Sequence, residues 1–356
     1  MLFACGRTAF MRFRTPYFIY GTVGDRLAYH ITKMKRVFAF LLAAAIIAAG
    51  VAVSWNYEHP ASVQTEAEKS DYIKWVEFNV PYLALQKALK IDVDSHEHGG
   101  NISWIQLLAY LGAKYGGNFA NYKSNDMDAL VTKLQSQTMG EITAGMKYYS
   151  YYNEAYTAVL GGLVGSYKVN GEEKYGLMGF SPIAKTFPYE DYDDFGTRRT
   201  YGYTRPHLGH DLIAATGTPV IAVESGVVEA LGWNQYGGWR IGIRSFDKHR
   251  YYYYAHLRQN RPYAEGLEVG QTVTAGDVIG YVGHTGYSTT ENVNNIRLSH
   301  LHFGLQLVFD ESQKESNNEI WVDVYPITML LRKNQSEVVR DSATKEYHSK
   351  NQIEIK

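Results

Sequence analysis

The segment Ser299-His300-Leu301-His302-Phe303-Gly304-Leu305-Gln306-Leu307 constrains the fold more than any other stretch of the chain. Successive side chains of a β-strand point to opposite faces. Leu301, Phe303, Leu305 and Leu307 therefore share one face, and His300, His302, Gly304 and Gln306 share the other. A strand that is apolar on one face needs a core beneath it. The pattern predicts a β-rich domain with two imidazoles standing side by side above that core. Such a pair can divide its work, one ring binding a metal and the other handling a proton. A strand with two merely exposed histidines is the plainer alternative, and the rest of the chain weighs against it.

Upstream, Arg205-Pro206-His207-Leu208-Gly209-His210-Asp211 sets His207 and Asp211 four residues apart. An extended segment points them to the same side, and one helical turn would also make them neighbours. Zinc takes imidazole nitrogen and carboxylate oxygen, and its catalytic sites keep three protein ligands and one open position. His207, Asp211 and one member of the His300/His302 pair make such a set. His210 competes with His207, and strand parity relative to Asp211 favours His207. In Tyr252-Tyr253-Tyr254-Ala255-His256-Leu257 the aromatic run predicts a strand with His256 near its end.

Taken together, His207-x-x-x-Asp211, Tyr254-Ala255-His256-Leu257 and His300-Leu301-His302-Phe303 resemble the three signatures of the M23 (lysostaphin/LytM-type) zinc metallopeptidases. Gly217-Thr218-Pro219-Val220-Ile221-Ala222, Ala275-Gly276-Asp277-Val278-Ile279-Gly280 and Gly283-His284-Thr285-Gly286 resemble the connecting sequence of that family. The resemblance covers residues 195–332. It implies an all-β, mostly antiparallel domain with a groove. It also implies zinc bound by His207, Asp211 and His302, and His256 and His300 as the catalytic pair. The implied substrate is a peptidoglycan peptide, a cross-link or stem, cut by metal-activated water. Where family members pass almost directly from Ser-Thr-Gly into His-Leu-His, this chain inserts Thr290 to Leu298, which predicts a loop on the rim of the site. A catalytically inactive scaffold that binds peptidoglycan or a partner at the cell surface is the alternative, and a glycan-cleaving enzyme is a third reading.

The chain of 356 residues has room for two domains plus tails. Its net charge of −1 gives no reason to expect nucleic acid as a partner, and its single cysteine, Cys5, excludes an intrachain disulfide. The sequence does not identify a protein partner. An unbroken apolar run from Val37 to Val53 follows Lys33, Lys35 and Arg36. Its length lies at the short end for a membrane-spanning helix. The flanking charge predicts a single-pass anchor at residues 34–55, with the remainder outside the cytoplasm, or a cleaved signal segment. Residues 1–33 read as a non-native or cytoplasmic extension, with Met34 as the natural start.

An α+β chain is expected overall: the anchor, a linker over 56–70, a small helical domain over 71–168, the peptidase-like domain over 175–332 and a polar, mobile tail over 333–356. Trp104 to Tyr115 has a helical apolar stripe of Trp104, Leu107, Leu108 and Leu111, with Ser103 as N-cap and Gly116-Gly117 as stop. The tyrosines between Tyr148 and Tyr156 are expected to pack. Asp92-Val93-Asp94-Ser95-His96-Glu97-His98 reads as a solvated inter-helix turn, and Glu190-Asp191-Tyr192-Asp193-Asp194 as a surface loop near the groove.

Overall fold

A computed structural model of the protein describes residues 72–314 and 316–355. The His300–Leu307 strand runs through the middle of an antiparallel eight-stranded sheet. Arg250–Ala255 pairs along one side of it. The other side is shared: the first half pairs with His210–Ala214 and the second with Ile320–Val322. Gly238–Ser245, Gly226–Asn234 and Thr272–Val273 extend the sheet beyond Arg250–Ala255, and Tyr189–Glu190 closes the opposite edge. Leu301, Phe303, Leu305 and Leu307 are all buried, as the alternation requires. Tyr252 and Tyr254 lie beside them on the same face of the neighbouring strand, and their rings contact Phe303. The opposite face of these strands is left for the groove.

Among the described residues five α-helices precede the sheet, at Tyr82–Glu97, Trp104–Tyr115, Ser124–Leu134, Met139–Thr143 and Tyr149–Leu160. Leu107, Leu108 and Leu111 are fully buried, each stabilising the helix packing by about 1.5–3 kcal/mol. Gly116 ends the second helix in the left-handed region at φ 60°, where glycine carries no Cβ penalty. Ser103 occupies the N-cap position but makes no side-chain cap bond. Asp92 does that work instead: its Oδ2 accepts from the Trp104 N–H at 2.8 Å and its Oδ1 from the Tyr175 hydroxyl at 2.7 Å. The expected solvated turn from Asp92 thus continues the first helix to Glu97. Leu85, Ala88 and Asp92 recur at helical spacing on its buried face, with the carboxylate's polarity spent on a neighbouring helix start. Tyr152 and Tyr156 are buried, so much of the tyrosine stripe is packing.

A buried ion pair joins the Tyr149–Leu160 helix to the sheet. Arg250 donates to Glu224 at 2.8 and 3.0 Å and to the Ala158 carbonyl at 2.9 Å, while the Tyr252 hydroxyl donates to the same Glu224 at 2.6 Å.

The polar stretch 333–356 carries strands rather than running free. Val338–Arg340 pairs with Tyr347–Ser349, and Ile353–Ile355 pairs with Val164–Val169. Backbone pairing and ion pairs hold it: Glu337 meets Lys185 at 2.6 Å and Lys350 at 2.9 Å, and Glu346 meets Arg258 at 2.8 Å. None of these depends on apolar content, so a reading that weighs composition overlooks them.

The expectation of a membrane-spanning helix, and of a membrane location derived from it, is corrected. Among the described residues no helix is long and apolar enough to cross a membrane. The run Val37–Val53 that prompted the expectation lies outside the described residues, as do residues 1–33.

Candidate metal centre

Asp211 and His302 sit directly opposite each other on paired antiparallel strands, so both side chains rise from the groove face. His207 lies just before the Asp211 strand and is fixed by its own N–H, which donates to the Thr197 carbonyl at 2.8 Å. Three atoms converge there. His207 Nε2 is 2.8 Å from His302 Nδ1 and 3.0 Å from Asp211 Oδ1, and His302 Nδ1 is 3.1 Å from Asp211 Oδ1. These residues form the group of potential metal ligands among the described residues. His210 pairs opposite Phe303 and therefore points to the other side of the sheet. There it is buried between Asp191, at 3.0 Å, and Asp194, at 3.4 Å. The one-step difference in parity separates the two histidines.

A carboxylate and a guanidinium that sequence reasoning did not place at the site hold the ligand atoms. Asp194 is 1% exposed. Its Oδ2 lies 3.1 Å from His207 Nδ1 and accepts from Arg199 at 2.8 Å. This contact favours the His207 proton on Nδ1, so that Nε2 would be the atom that bonds a metal. Arg199 also donates to Asp211 Oδ2 at 2.9 Å, leaving Oδ1 to the triangle. Asp194 belongs to the acidic run expected as a surface loop. Its burial follows from these pairings, and no periodicity marks it. Gly209 has a steric role: a Cβ there would meet His302 Cε1 at 2.6 Å and the Phe303 carbonyl at 2.8 Å.

The carboxylates dominate the local electrostatics. Burial pulls the His207 imidazole down, but hydrogen bonds to Asp194 and Asp211 outweigh it and push it up to about 9. Burial alone would raise Asp211, yet hydrogen bonds from His207 and His302 hold it well below the usual carboxylate range. A cation is strongly favoured between these groups.

His256 and His300 stand beside the triangle. Their ring centroids are 4.8 Å apart, and His300 Nε2 is 3.7 Å from Asp211 Oδ1. His256 Nδ1 lies 2.9 Å from the Thr285 carbonyl, and His300 Nδ1 lies 2.7 Å from the Leu298 carbonyl. A carbonyl only accepts, so each ring donates from Nδ1, and Nε2 is the lone-pair atom of the neutral tautomer. Burial, reinforced by His300 and His302, pushes the His256 pKa well down, so its imidazole is neutral at pH 7. The His256 backbone adopts φ 61°, a left-handed conformation that costs a non-glycine residue of order 1–3 kcal/mol. Its N–H bond to the Gly237 carbonyl, 2.7 Å, helps hold that geometry. Thr285, buried and bonded to Leu257 and Trp239, fixes the carbonyl that orients His256.

A groove of about 490 Å³ runs from His207, Asp211 and His302 past Tyr253 toward Gln306 and Trp321. The Thr290–Leu298 insert is hydrogen-bonded to its surroundings at several points. Asn292 accepts from the Trp239 indole at 2.9 Å, and Leu298 supplies the carbonyl that orients His300. On the rim, Tyr201 stacks on Tyr287 with centroids 4.7 Å apart, and Tyr287 meets His256 edge-on.

Residues 205–317 match Peptidase family M23. The chain is 34% identical over 209 residues to the L-Ala–D-Glu endopeptidase of Bacillus subtilis, a match covering 57% of this chain and 60% of that protein. It is 39% identical over 98 residues to lysostaphin of Staphylococcus staphylolyticus, covering 27% of this chain and 18% of that protein. The chain thus spans less than two thirds of either relative. Among solved structures, the catalytic domain of the antimicrobial peptidase lysostaphin from Staphylococcus simulans is 32% identical, with 40% of this chain and 92% of that one covered and a TM-score of 0.30. The match to peptidase family M23 thus spans the stretch that carries the five residues described above.

Proposed function

We propose that this protein is a zinc-dependent endopeptidase that hydrolyses peptide bonds in bacterial peptidoglycan, within a stem or cross-link. The observation that carries the reading is the triangle of His207 Nε2, Asp211 Oδ1 and His302 Nδ1 with edges of 2.8–3.1 Å. Zinc bonded at 2.0–2.1 Å in tetrahedral geometry separates neighbouring ligand atoms by about 3.3 Å. Two imidazoles and one carboxylate are also the donor types zinc takes at catalytic sites. His207, Asp211 and His302 would hold the ion. Bound there, zinc supplies Lewis-acid polarisation and a water acidic enough to ionise near neutral pH.

The chain's own side chains do the rest. Asp194 and Arg199 fix the ligands in register, so little reorganisation is needed when substrate arrives. His256 and His300 turn Nε2 atoms toward the same space. One takes the proton of the attacking water, and the pair returns a proton to the leaving amine nitrogen. The peptide lies along the groove floor formed by the His300–Leu307 and Arg250–Ala255 strands. Similarity to an L-Ala–D-Glu endopeptidase and to lysostaphin supports peptidoglycan as the substrate class. The protein is expected to bind one zinc per chain, and His302→Ala to lose cleavage of muropeptides with the fold intact. Zinc-loaded protein that leaves all wall peptides uncut would overturn the proposal.

A further inference from the structure

The groove carries a charge that nothing among the described residues neutralises. Its lining contains Arg199, Arg205, Arg240 and Lys314, together with the acids Asp211, Glu229 and Glu319. Three of the four cations are already engaged. Arg199 is bonded to Asp194 and Asp211, and Lys314 pairs with Glu229. Arg205 donates to the Tyr201 carbonyl at 2.7 Å and lies over the rings of Tyr203, Tyr236 and Tyr287 at 4.8–5.7 Å, a favourable seat for a guanidinium. The acids are engaged as well: Asp211 in the ligand triangle, Glu229 also with Arg244 at 2.8 Å, and Glu319 with the Trp321 indole at 2.8 Å.

Arg240 is the exception. Among the described residues it has neither a carboxylate in ion-pair range nor a ring beneath it, and its Nε is buried without an acceptor. Its strand is the next one over from Arg250–Ala255, which itself pairs with the His302 strand. At about 4.8 Å per strand this sets Arg240 within roughly 10 Å of the His302 strand, a span its long side chain can close. Gln306 repeats the pattern farther along. It is 3% exposed and lines the groove, and its Nε2 has no acceptor. It shares the groove face with His302, four residues away, or about 13 Å of strand. Buried donors without acceptors cost free energy unless a ligand completes them. The groove therefore lacks acceptors, and one of its open donors is a full cation.

We propose that the groove selects peptides carrying a free carboxylate next to the cut bond, and that Arg240 is the specificity-determining residue that pairs with it. Gln306 Nε2 donates to a backbone carbonyl farther along the same peptide. The inference rests on the endopeptidase reading for the position of the cut. The carboxylate is one that an acidic residue of a wall stem peptide would present, and a neutral glycine bridge would leave Arg240 unpaired. A charge-assisted guanidinium–carboxylate contact in a partly enclosed groove favours the charged ligand by about tenfold to a hundredfold.

The test uses two synthetic stem peptides that differ only in a carboxylate or a carboxamide on the D-Glu residue. Zinc-loaded wild-type protein should cleave the carboxylate peptide with the higher kcat/KM by that factor, mainly through KM. Arg240→Gln should reduce the preference to about twofold or less, and Arg240→Lys should restore part of it. Calorimetric titration of the same peptides reads binding separately from cleavage. Tighter binding of the carboxylate peptide by wild type, lost in Arg240→Gln, supports the inference even if neither peptide is cut, an outcome that would count against the endopeptidase reading alone. Equal affinities in the wild type, or a preference that survives Arg240→Gln, would overturn it.

Discussion

Replacing Asp194 with asparagine tests how the ligand set is held. Asp194 Oδ2 faces two donors, His207 Nδ1 at 3.1 Å and Arg199 Nη2 at 2.8 Å, and Oδ1 lies 3.4 Å from the Asp211 backbone N–H and from His210. Asparagine keeps the shape but loses the charge and brings an NH2 group that can only donate. Turned toward His207, that group favours the tautomer with the proton on Nε2, the atom that points into the triangle. Turned the other way, it opposes the Asp211 N–H. Loss of such an outer partner lowers metal affinity by about ten- to a hundredfold, or roughly 1.4–2.7 kcal/mol. The metal-free protein should also lose about 1–3 kcal/mol, because Arg199 and His207 keep buried donors without a full acceptor. Zinc affinity is read by competition with a chromophoric chelator and stability by urea unfolding of the metal-free form. Zinc affinity within twofold of wild type would refute the claim that Asp194 sets the His207 tautomer.

Other outcomes are equally specific. Gly209→Ala places a Cβ 2.6 Å from the His302 ring, so zinc binding should weaken by at least tenfold in the same competition assay while the far-ultraviolet circular dichroism is retained. Glu224→Ala leaves Arg250 buried beside helix carbonyls with only the half-exposed Asp247 as counter-ion. It should cost roughly 3 kcal/mol in chemical denaturation, and a loss under 1 kcal/mol would contradict the role given to that ion pair. Glu337 is held down to about 2 by Lys185 and Lys350, below its usual 4.5. A carboxyl depressed on folding contributes stability that is present above its unfolded pKa and lost as pH falls toward the folded one. The difference in thermal midpoint between wild type and Glu337→Gln should therefore be constant above about pH 5 and vanish between pH 4.5 and 2.

The core was legible because period carries it, and the five converging residues because they fall in motifs that resemble those of a known family. Leu301 to Leu307 alternate, Trp104 to Leu111 recur at helical spacing, and His207, Asp211, His256, His300 and His302 belong to motifs that strand geometry can interpret. Other features were not legible, because their roles come from partners distant in sequence. Asp194 and Asp92 look like solvated acids until the donors they meet, His207 and Arg199 in one case and Trp104 and Tyr175 in the other, are brought to them by the fold. Arg199 and Arg240 carry no local signal at all. The strands at 338–340, 347–349 and 353–355 depend on backbone pairing and surface ion pairs, which composition does not record.

Mass spectrometry of purified peptidoglycan after incubation with the zinc-loaded protein asks most directly whether this chain is a wall endopeptidase. Fragments bearing a new peptide amino terminus and carboxyl terminus should accumulate, with glycan strands intact, and chelation or His302→Ala should abolish them. Unchanged peptides, or cleavage at sugar bonds instead, would contradict the account.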